Sequence, residues 1–267
     1  MITHSSQPIA AGASRPSVGS RLLVSVRSVD EAMRALAGGA DILDIKEPNL
    51  GSLGMADLSV IHDIVDLMQH RRAEIPLSAA LGELADWIGR DDIPTIPSGV
   101  QFAKLGLSGM AERTDWPAEW RKVRDRFGSG RKRPLKWVAV AYADDMAACS
   151  PDWNEVLTAT VGDGRSESEA GCAGLLIDTF AKTGKSLLDY LTVEALREIA
   201  QRCHVAGMFL AVAGSLTITA IRGLRGANAD IVAIRSAACR NGNRRDGIDE
   251  TLVASIRQVV RGEANAG

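Results

Sequence analysis

The chain repeats one pattern eight times, namely a short apolar segment followed by a segment with helical spacing. Apolar residues recur at intervals of three and four in the second kind of segment, as in residues 57–69, 116–127 and 192–203. A doubly wound open sheet rarely contains eight such units with uniform spacing, so the pattern predicts an α/β fold, a single (β/α)8 TIM barrel. The predicted strands cover residues 22–26, 40–48, 76–80, 100–104, 135–142, 173–178, 208–212 and 230–234.

One catalytic domain is expected over residues 21–262, preceded by a disordered tail over residues 1–20. The tail is rich in Ser, Ala, Gly and Pro and lacks the apolar core of a signal peptide. A formal charge of -2 argues against general nucleic-acid binding, and no apolar run is long enough for a membrane span. We therefore expect a cytoplasmic protein that acts on a small molecule.

Neither cysteine nor histidine is spaced for a metal site or a catalytic triad. The histidines lie in the tail or in helix-like stretches, so acid–base chemistry is expected from Lys, Asp and Glu. Reduced thiols, no metal and no zinc site are predicted, because the four cysteines are scattered without a CxxC pair: Cys149, Cys172, Cys203 and Cys239.

The second predicted strand, residues 40–48, contains a carboxylate and an ammonium two positions apart. Side chains alternate along a strand, so Asp44 and Lys46 are expected on the same face. Burying both charges is unfavourable unless they are paired or functional. From this stretch alone, a salt bridge that orients the strand and a catalytic lysine at the strand end are equally good interpretations.

In a barrel, the polar residues at the strand ends share one rim. A lysine near other cations in a dry pocket has a lowered pKa and can form a Schiff base with a carbonyl group. The rim therefore predicts a site for anionic carbonyl compounds. It would be built from Ser25, Asp44, Lys46, Ser78, Lys104, Tyr142, Asp144, Asp178, Ser215 and Arg235, with Lys182 and Lys185 in the loop after the sixth strand.

Phosphate binding is expected at the loops after the last two strands. Gly214-Ser215 and Ser236-Ala237-Ala238 are small enough for backbone N–H groups to approach a phosphate, and Arg235 adds a cation. By contrast, residues 182–186 only imitate a P-loop, because Thr179 replaces its first glycine. The basic loop 128–133 is interpreted as a solvated connection.

Several short motifs in register resemble the (5-formylfuran-3-yl)methyl phosphate synthase family, also called 4-(hydroxymethyl)-2-furancarboxaldehyde-phosphate synthase. The similarity runs from about residue 22 to residue 260 and includes Asp44-Ile45-Lys46-Glu47-Pro48, Lys104-Leu105-Gly106-Leu107, Asp178-Thr179 followed by Lys182, and Arg235-Ser236-Ala237-Ala238-Cys239. The family serves methanofuran biosynthesis, with bacterial relatives in methylotrophs. Residues 1–20, and the polar turn over residues 162–171, are interpreted as additions.

The resemblance implies a TIM barrel that joins two glyceraldehyde 3-phosphate molecules, losing water and one phosphate, without a cofactor. It implies that Lys46 is the Schiff-base lysine and Lys104 the proton acceptor, assisted by Asp44, Asp178 and Lys182. Substrate or phosphate contacts are expected from the other rim residues: Ser25, Ser78, Asp144, Gly214, Ser215, Arg235 and Ser236.

A homo-oligomer is expected, as for many barrels of this type. The alternatives are another Schiff-base phosphosugar barrel of the class I aldolase kind, and a non-catalytic barrel that binds phosphometabolites.

Overall fold

A computed structural model describes residues 19–161 and 171–263 of the chain. Almost all of the predicted tail and of the predicted polar turn lie outside these residues. Eight parallel strands pair in chain order, and the last returns to the first, which confirms the closed barrel. The strands are β1 (Arg21–Val26), β2 (Ile42–Ile45), β3 (Leu77–Glu83), β4 (Phe102–Gly106), β5 (Lys136–Tyr142), β6 (Gly174–Asp178), β7 (Phe209–Val212) and β8 (Ile231–Ile234).

Helices cover the outside of the ring. One unit departs from the alternation, because β3 and β4 are joined by a 3-10 turn, Leu84–Asp86, without an α-helix. Pro94 and Pro97 interrupt this connection and disfavour a longer helix there. The helices are α1 (Val29–Ala37), α2 (Leu58–His70), α3 (Trp116–Gly128), α4 (Asp145–Ala148), α5 (Trp153–Val161), α6 (Val193–Val205), α7 (Ile218–Gly223) and α8 (Glu250–Arg261).

The alternation of side chains along the strands separates two apolar cores. In β1, Leu22 and Val24 belong to the large core between strands and helices. Leu23 belongs to the smaller core inside the barrel, as does Ile42 of β2. Two positions further along each strand, Ser25 and Asp44 also face the inside of the barrel. The alternation of side chains therefore places polar groups inside the barrel, near its mouth.

The strand β2 is shorter than predicted. It ends at Ile45, and Pro48–Leu50 forms a 3-10 turn in place of further strand. Lys46 extends the pairing by one hydrogen bond, from its N–H to the carbonyl of Val26 at 3.0 Å. Pro48 has no N–H and cannot continue the hydrogen-bonded pairing of the strands. The strand therefore stops before it, and Lys46 lies at the mouth of the barrel.

The described residues also bear on the thiols, on metals and on membranes. All four cysteines are free, with Cys149 exposed and the others buried. Within residues 19–161 and 171–263, no three His, Cys, Asp or Glu side chains group as metal ligands. No helix in that part of the chain combines the length and apolarity that crossing a bilayer requires.

Candidate active site

A cleft that is partly open to solvent lies at the carboxyl ends of the barrel strands. Polar side chains and apolar side chains of the inner barrel both line it. Most of the predicted rim residues line it. They are Ser25, Asp44, Lys46, Lys104, Asp178, Lys182, Gly214, Ser215, Arg235 and Ser236, and they are joined by Arg244.

A buried ion pair lies at the floor of the cleft. The Nζ atom of Lys104 is 2.5 Å from Oδ1 of Asp44, and both side chains are almost fully buried. The hydroxyl of Ser25 donates to Oδ2 of the same carboxylate at 3.2 Å. Burial favours the protonated acid, but the charges of Lys104 and Lys46 and hydrogen bonds from Lys104 and Ser78 outweigh it, so the pKa of Asp44 is lowered. Asp44 is therefore held as a carboxylate against the amine of Lys104.

The amine of Lys46 has a different environment. Its Nζ atom donates to the carbonyl of Ser52 at 3.2 Å. Burial destabilises the ammonium form, Asp178 and Asp44 partly compensate, and the charges of Lys182 and Lys104 oppose it further. The pKa of Lys46 falls to about 8 as a result. At pH 7 on the order of one tenth of the amine is then neutral, against a negligible fraction for an exposed lysine.

A second carboxylate and lysine face this amine from the end of β6. Oδ1 of Asp178 accepts the N–H of Thr179 at 2.7 Å and lies 3.4 Å from Nζ of Lys182. Burial opposes ionisation of Asp178, but Lys182 and Lys46 lower its pKa overall. Lys182 also donates to the hydroxyl of Thr179 at 3.2 Å, which holds its ammonium at the edge of the cleft.

The loop after β7 has the backbone geometry of an anion site. Gly214 has φ +104°, and a Cβ there would lie 2.8 Å from Cγ2 of Thr179, so only glycine fits. Ser215 follows with φ 48°, in the left-handed region. Among the described residues, no acceptor pairs with the N–H of Gly214, Ser215 or Ser236. Successive free N–H groups of this kind form a concave cradle for phosphate.

Arg235 lines the cleft, but its donors are already used. Its guanidinium pairs with Glu31 at 2.6 Å and donates to the carbonyls of Ser25 and Arg244, each at 2.9 Å. These contacts indicate that Arg235 holds the end of β8 against β1 and α1. The predicted phosphate contact of Arg235 stays a prediction, and its present geometry gives it little support.

Asp144 and Ser78 lie near the cleft without lining it. Both carboxylate oxygens of Asp144 accept backbone N–H groups of the loop after β6, from Phe180 at 2.6 Å and Ala181 at 2.9 Å. Ser78 is buried on β3 beside Asp44. These contacts indicate that Asp144 positions the loop after β6 and that Ser78 positions the carboxylate of Asp44. They favour these roles over a contact with substrate.

The sequence did not reveal three residues near the cleft whose partners lie far away along the chain. Ser52 fixes the loop after β2 by donating to the carbonyl of Thr179 at 2.9 Å. Glu83 accepts the hydroxyl of Tyr142 at 2.6 Å and braces the rim above β4. Arg244 enters the cleft from the loop after β8. The adjacent arginines Arg244 and Arg245 after the last strand could have indicated a cation at the rim. The residues next to Ser52 and Glu83 do not indicate their distant partners.

Comparisons with known proteins place the chain next to one family. The model of the 4-HFC-P synthase family matches residues 22–257. A protein of Methanococcus maripaludis strain C7 named (5-formylfuran-3-yl)methyl phosphate synthase is 33% identical over 244 residues, which cover 90% of this chain and 99% of the relative. A protein of the same name from Methanocaldococcus jannaschii is 32% identical over 246 residues, with the same coverage.

Solved structures agree on the fold. Geranylgeranylglyceryl phosphate synthase from Thermoplasma acidophilum superposes with TM-score 0.60 at 12% identity, over 91% of this chain and 94% of that one. Phosphoribosyl anthranilate isomerase from Thermotoga maritima gives TM-score 0.58 at 12% identity, over 91% and 99%. At such low identity, these similarities concern the barrel alone.

Proposed function

The chain belongs to the 4-HFC-P synthase family, and we propose that it condenses two glyceraldehyde 3-phosphate molecules through a Schiff base on Lys46. Water and one phosphate leave, and the product is 4-(hydroxymethyl)-2-furancarboxaldehyde phosphate. The product class agrees with the name of the relatives from Methanococcus and Methanocaldococcus. The pathway served would be that of a methanofuran-type or methylofuran-type one-carbon cofactor.

The observation that carries this proposal is the setting of the Lys46 amine. It lies in the cleft with a pKa lowered to about 8, whereas Lys104 is tied to a carboxylate. A neutral amine attacks an aldehyde, and loss of water from the adduct gives an iminium ion on Nζ of Lys46. The iminium draws electrons from the neighbouring carbon, so no metal or organic cofactor is required.

Proton transfer is assigned to the groups around this amine. Once Lys104 has given its proton to the adduct hydroxyl that leaves as water, its neutral amine takes a proton from the carbon next to the iminium, and the enamine carbon that results attacks the aldehyde of the second triose phosphate. The Lys104 ammonium is suited to donate a proton to an oxygen that leaves as water. Lys104 can accept a proton, as expected from the family resemblance, only after it has given its own away, and Asp44 stabilises it in the charged form.

The phosphate groups of the two triose phosphate molecules need two binding sites, each with a cation or several N–H donors. The N–H cradle of Gly214, Ser215 and Ser236 suits one of them, as in many barrels. Lys182 also lines the cleft and adds a charge for the other. Asp178 keeps Lys182 oriented and faces the reacting amine.

Trapping the intermediate tests the proposal. The protein would be incubated with glyceraldehyde 3-phosphate and sodium borohydride, digested, and mapped by peptide mass spectrometry. We expect a reduced adduct on Lys46, together with a furan chromophore and free phosphate when borohydride is omitted. The Lys185→Gln variant is the matched control, because this exposed lysine follows the same strand and does not line the cleft.

An adduct elsewhere, or none, would contradict the assignment of Lys46. Reversible cleavage of a sugar phosphate without a furan product would favour the aldolase-like alternative. Binding of phosphorylated compounds without turnover would favour the non-catalytic one. Cytoplasmic location and homo-oligomeric assembly stay predictions, for which fractionation and light scattering are the direct measurements.

A further inference from the structure

Arg244 is a cation of the cleft that the mechanism above does not use. It comes from the loop after β8 and is half-buried, with its Nη2 atom donating to the carbonyl of Gly51 at 3.0 Å. Among the described residues, no carboxylate oxygen lies within 4 Å of its guanidinium. Lys104, Lys182 and Arg235, by contrast, each have a carboxylate within that distance.

The backbone that presents Arg244 is anchored. Arg235, itself fixed by Glu31, donates from Nε to the carbonyl of Arg244 at 2.9 Å. The ends of the loop are joined by the bridge between Cys239 and Ile248. An arginine on an anchored backbone loses less conformational freedom when it binds a ligand than one on a mobile loop does.

The guanidinium of Arg244 reaches the same loop as the reactive amine. Arg244 donates to the carbonyl of Gly51, and Lys46 donates to the carbonyl of the next residue, Ser52. The Ser52 hydroxyl ties that loop to Thr179. Two basic side chains therefore donate to consecutive carbonyls on one side of the cleft.

We propose that Arg244 binds the phosphate monoester of the aldehyde that Lys46 captures. This inference rests on the proposed function and assigns one of its two phosphate groups. The contact with Gly51 uses one N–H of the guanidinium, and its side chain makes no other hydrogen bond among the described residues. Its remaining N–H groups can form the two parallel hydrogen bonds that a phosphate accepts from arginine.

Titration with inorganic phosphate tests the site without any turnover. We expect calorimetry to show a dissociation constant about tenfold or more higher for Arg244→Gln than for the unmodified protein, as for loss of a charge-assisted hydrogen bond. Arg244→Lys keeps the positive charge but loses the paired N–H donors of the guanidinium, so a smaller loss of phosphate affinity is expected. Arg245→Gln is the matched control, since this neighbour is exposed and does not line the cleft; its constant should change less than twofold.

Equal phosphate affinity in the unmodified protein and Arg244→Gln would overturn the proposal, as would no binding of phosphate to the unmodified protein. Borohydride trapping separates it from the proposed function. We expect Arg244→Gln to be trapped more slowly by glyceraldehyde 3-phosphate and at an unchanged rate by unphosphorylated glyceraldehyde. If Lys46 is not trapped at all but Arg244 still governs phosphate affinity, the Schiff-base mechanism fails while the phosphate site stands.

Discussion

β4 and the end of β2 each bring a lysine into the same cleft, yet the two amines have different partners. Lys104 lies 2.5 Å from Asp44 and is buried as one half of an ion pair. Lys46 has a backbone carbonyl as its hydrogen-bond partner, at 3.2 Å, and a pKa of about 8. The partner of a buried lysine therefore matters as well as its burial, since Lys104 contacts a carboxylate and Lys46 a backbone carbonyl.

In the proposed mechanism, this difference gives the two lysines separate roles. An amine that is often neutral can attack a carbonyl, whereas an ammonium fixed by a carboxylate can donate a proton in a defined direction. A pair of titratable groups in contrasting environments is the usual way in which acid and nucleophile are separated within one site.

Removing the reactive amine should have the largest effect. In Lys46→Ala, furan formation is expected to fall by about 10⁴-fold or more, because the proposed covalent intermediate cannot form without this amine. The measurement is initial rate of chromophore formation, with Lys185→Gln as the control. An activity loss of less than tenfold in Lys46→Ala would reverse the assignment of the two lysines.

Asp44→Asn should make the two lysines more alike. The buried ammonium of Lys104 would lose its carboxylate, and the free energy of unfolding is expected to drop by about 3–5 kcal/mol in urea titration. Without that partner Lys104 should release its proton more readily, so borohydride should begin to label Lys104 as well as Lys46.

The exposed carboxylate Asp63 provides the comparison for this variant. Asp63→Asn should alter the free energy of unfolding by no more than about 0.5 kcal/mol and leave labelling confined to Lys46. Exclusive labelling of Lys46 in Asp44→Asn would show that the carboxylate does not cause the contrast.

The pH dependence of trapping should report Lys46 directly. Below its pKa of about 8, the neutral fraction and hence the single-turnover trapping rate should rise about tenfold per pH unit, and level off above it. Asp178 favours the charged amine, so Asp178→Asn should shift this midpoint to lower pH. A midpoint near 10, or a shift to higher pH in Asp178→Asn, would contradict the proposed electrostatics.

The smallest effect is expected from Ser25→Ala. Its hydroxyl contacts Asp44 at 3.2 Å, so its loss should lower the free energy of unfolding by about 1–2 kcal/mol and slow turnover modestly, while Lys46 remains the trapped residue. Ser129→Ala, at an exposed position after α3, should be neutral. Abolished trapping in Ser25→Ala would mean that Ser25 contacts the substrate.

The barrel and the cluster of polar residues at its mouth were accessible from the sequence because their signals are local. Branched apolar runs mark the strands, and the period of two places Asp44 on the inward face after Ile42. The prolines at 94 and 97 also fall where an α-helix is missing. The extent of β2 was overestimated, because the residues around Lys46 have a strand-like composition, and β3 runs three residues further than predicted, to Glu83.

Contacts between distant parts of the chain could not be derived in this way. The sequence suggested a bond between Asp44 and Lys46, its near neighbour, but the carboxylate contacts Lys104 from another strand. Likewise, Arg235 pairs with Glu31, 204 residues away. Which partner neutralises a buried charge depends on the closed ring, and no spacing within one segment encodes it.

The closure of β8 onto β1 has a consequence for the newly made protein. Arg235 and the loop bearing Arg244 follow the other seven strands along the chain, so they are synthesised after those strands. The lowered pKa of Lys46 depends on burial, and an exposed lysine stays protonated at neutral pH. We therefore expect the amine of Lys46 to reach its lowered pKa only once β8 has closed onto β1.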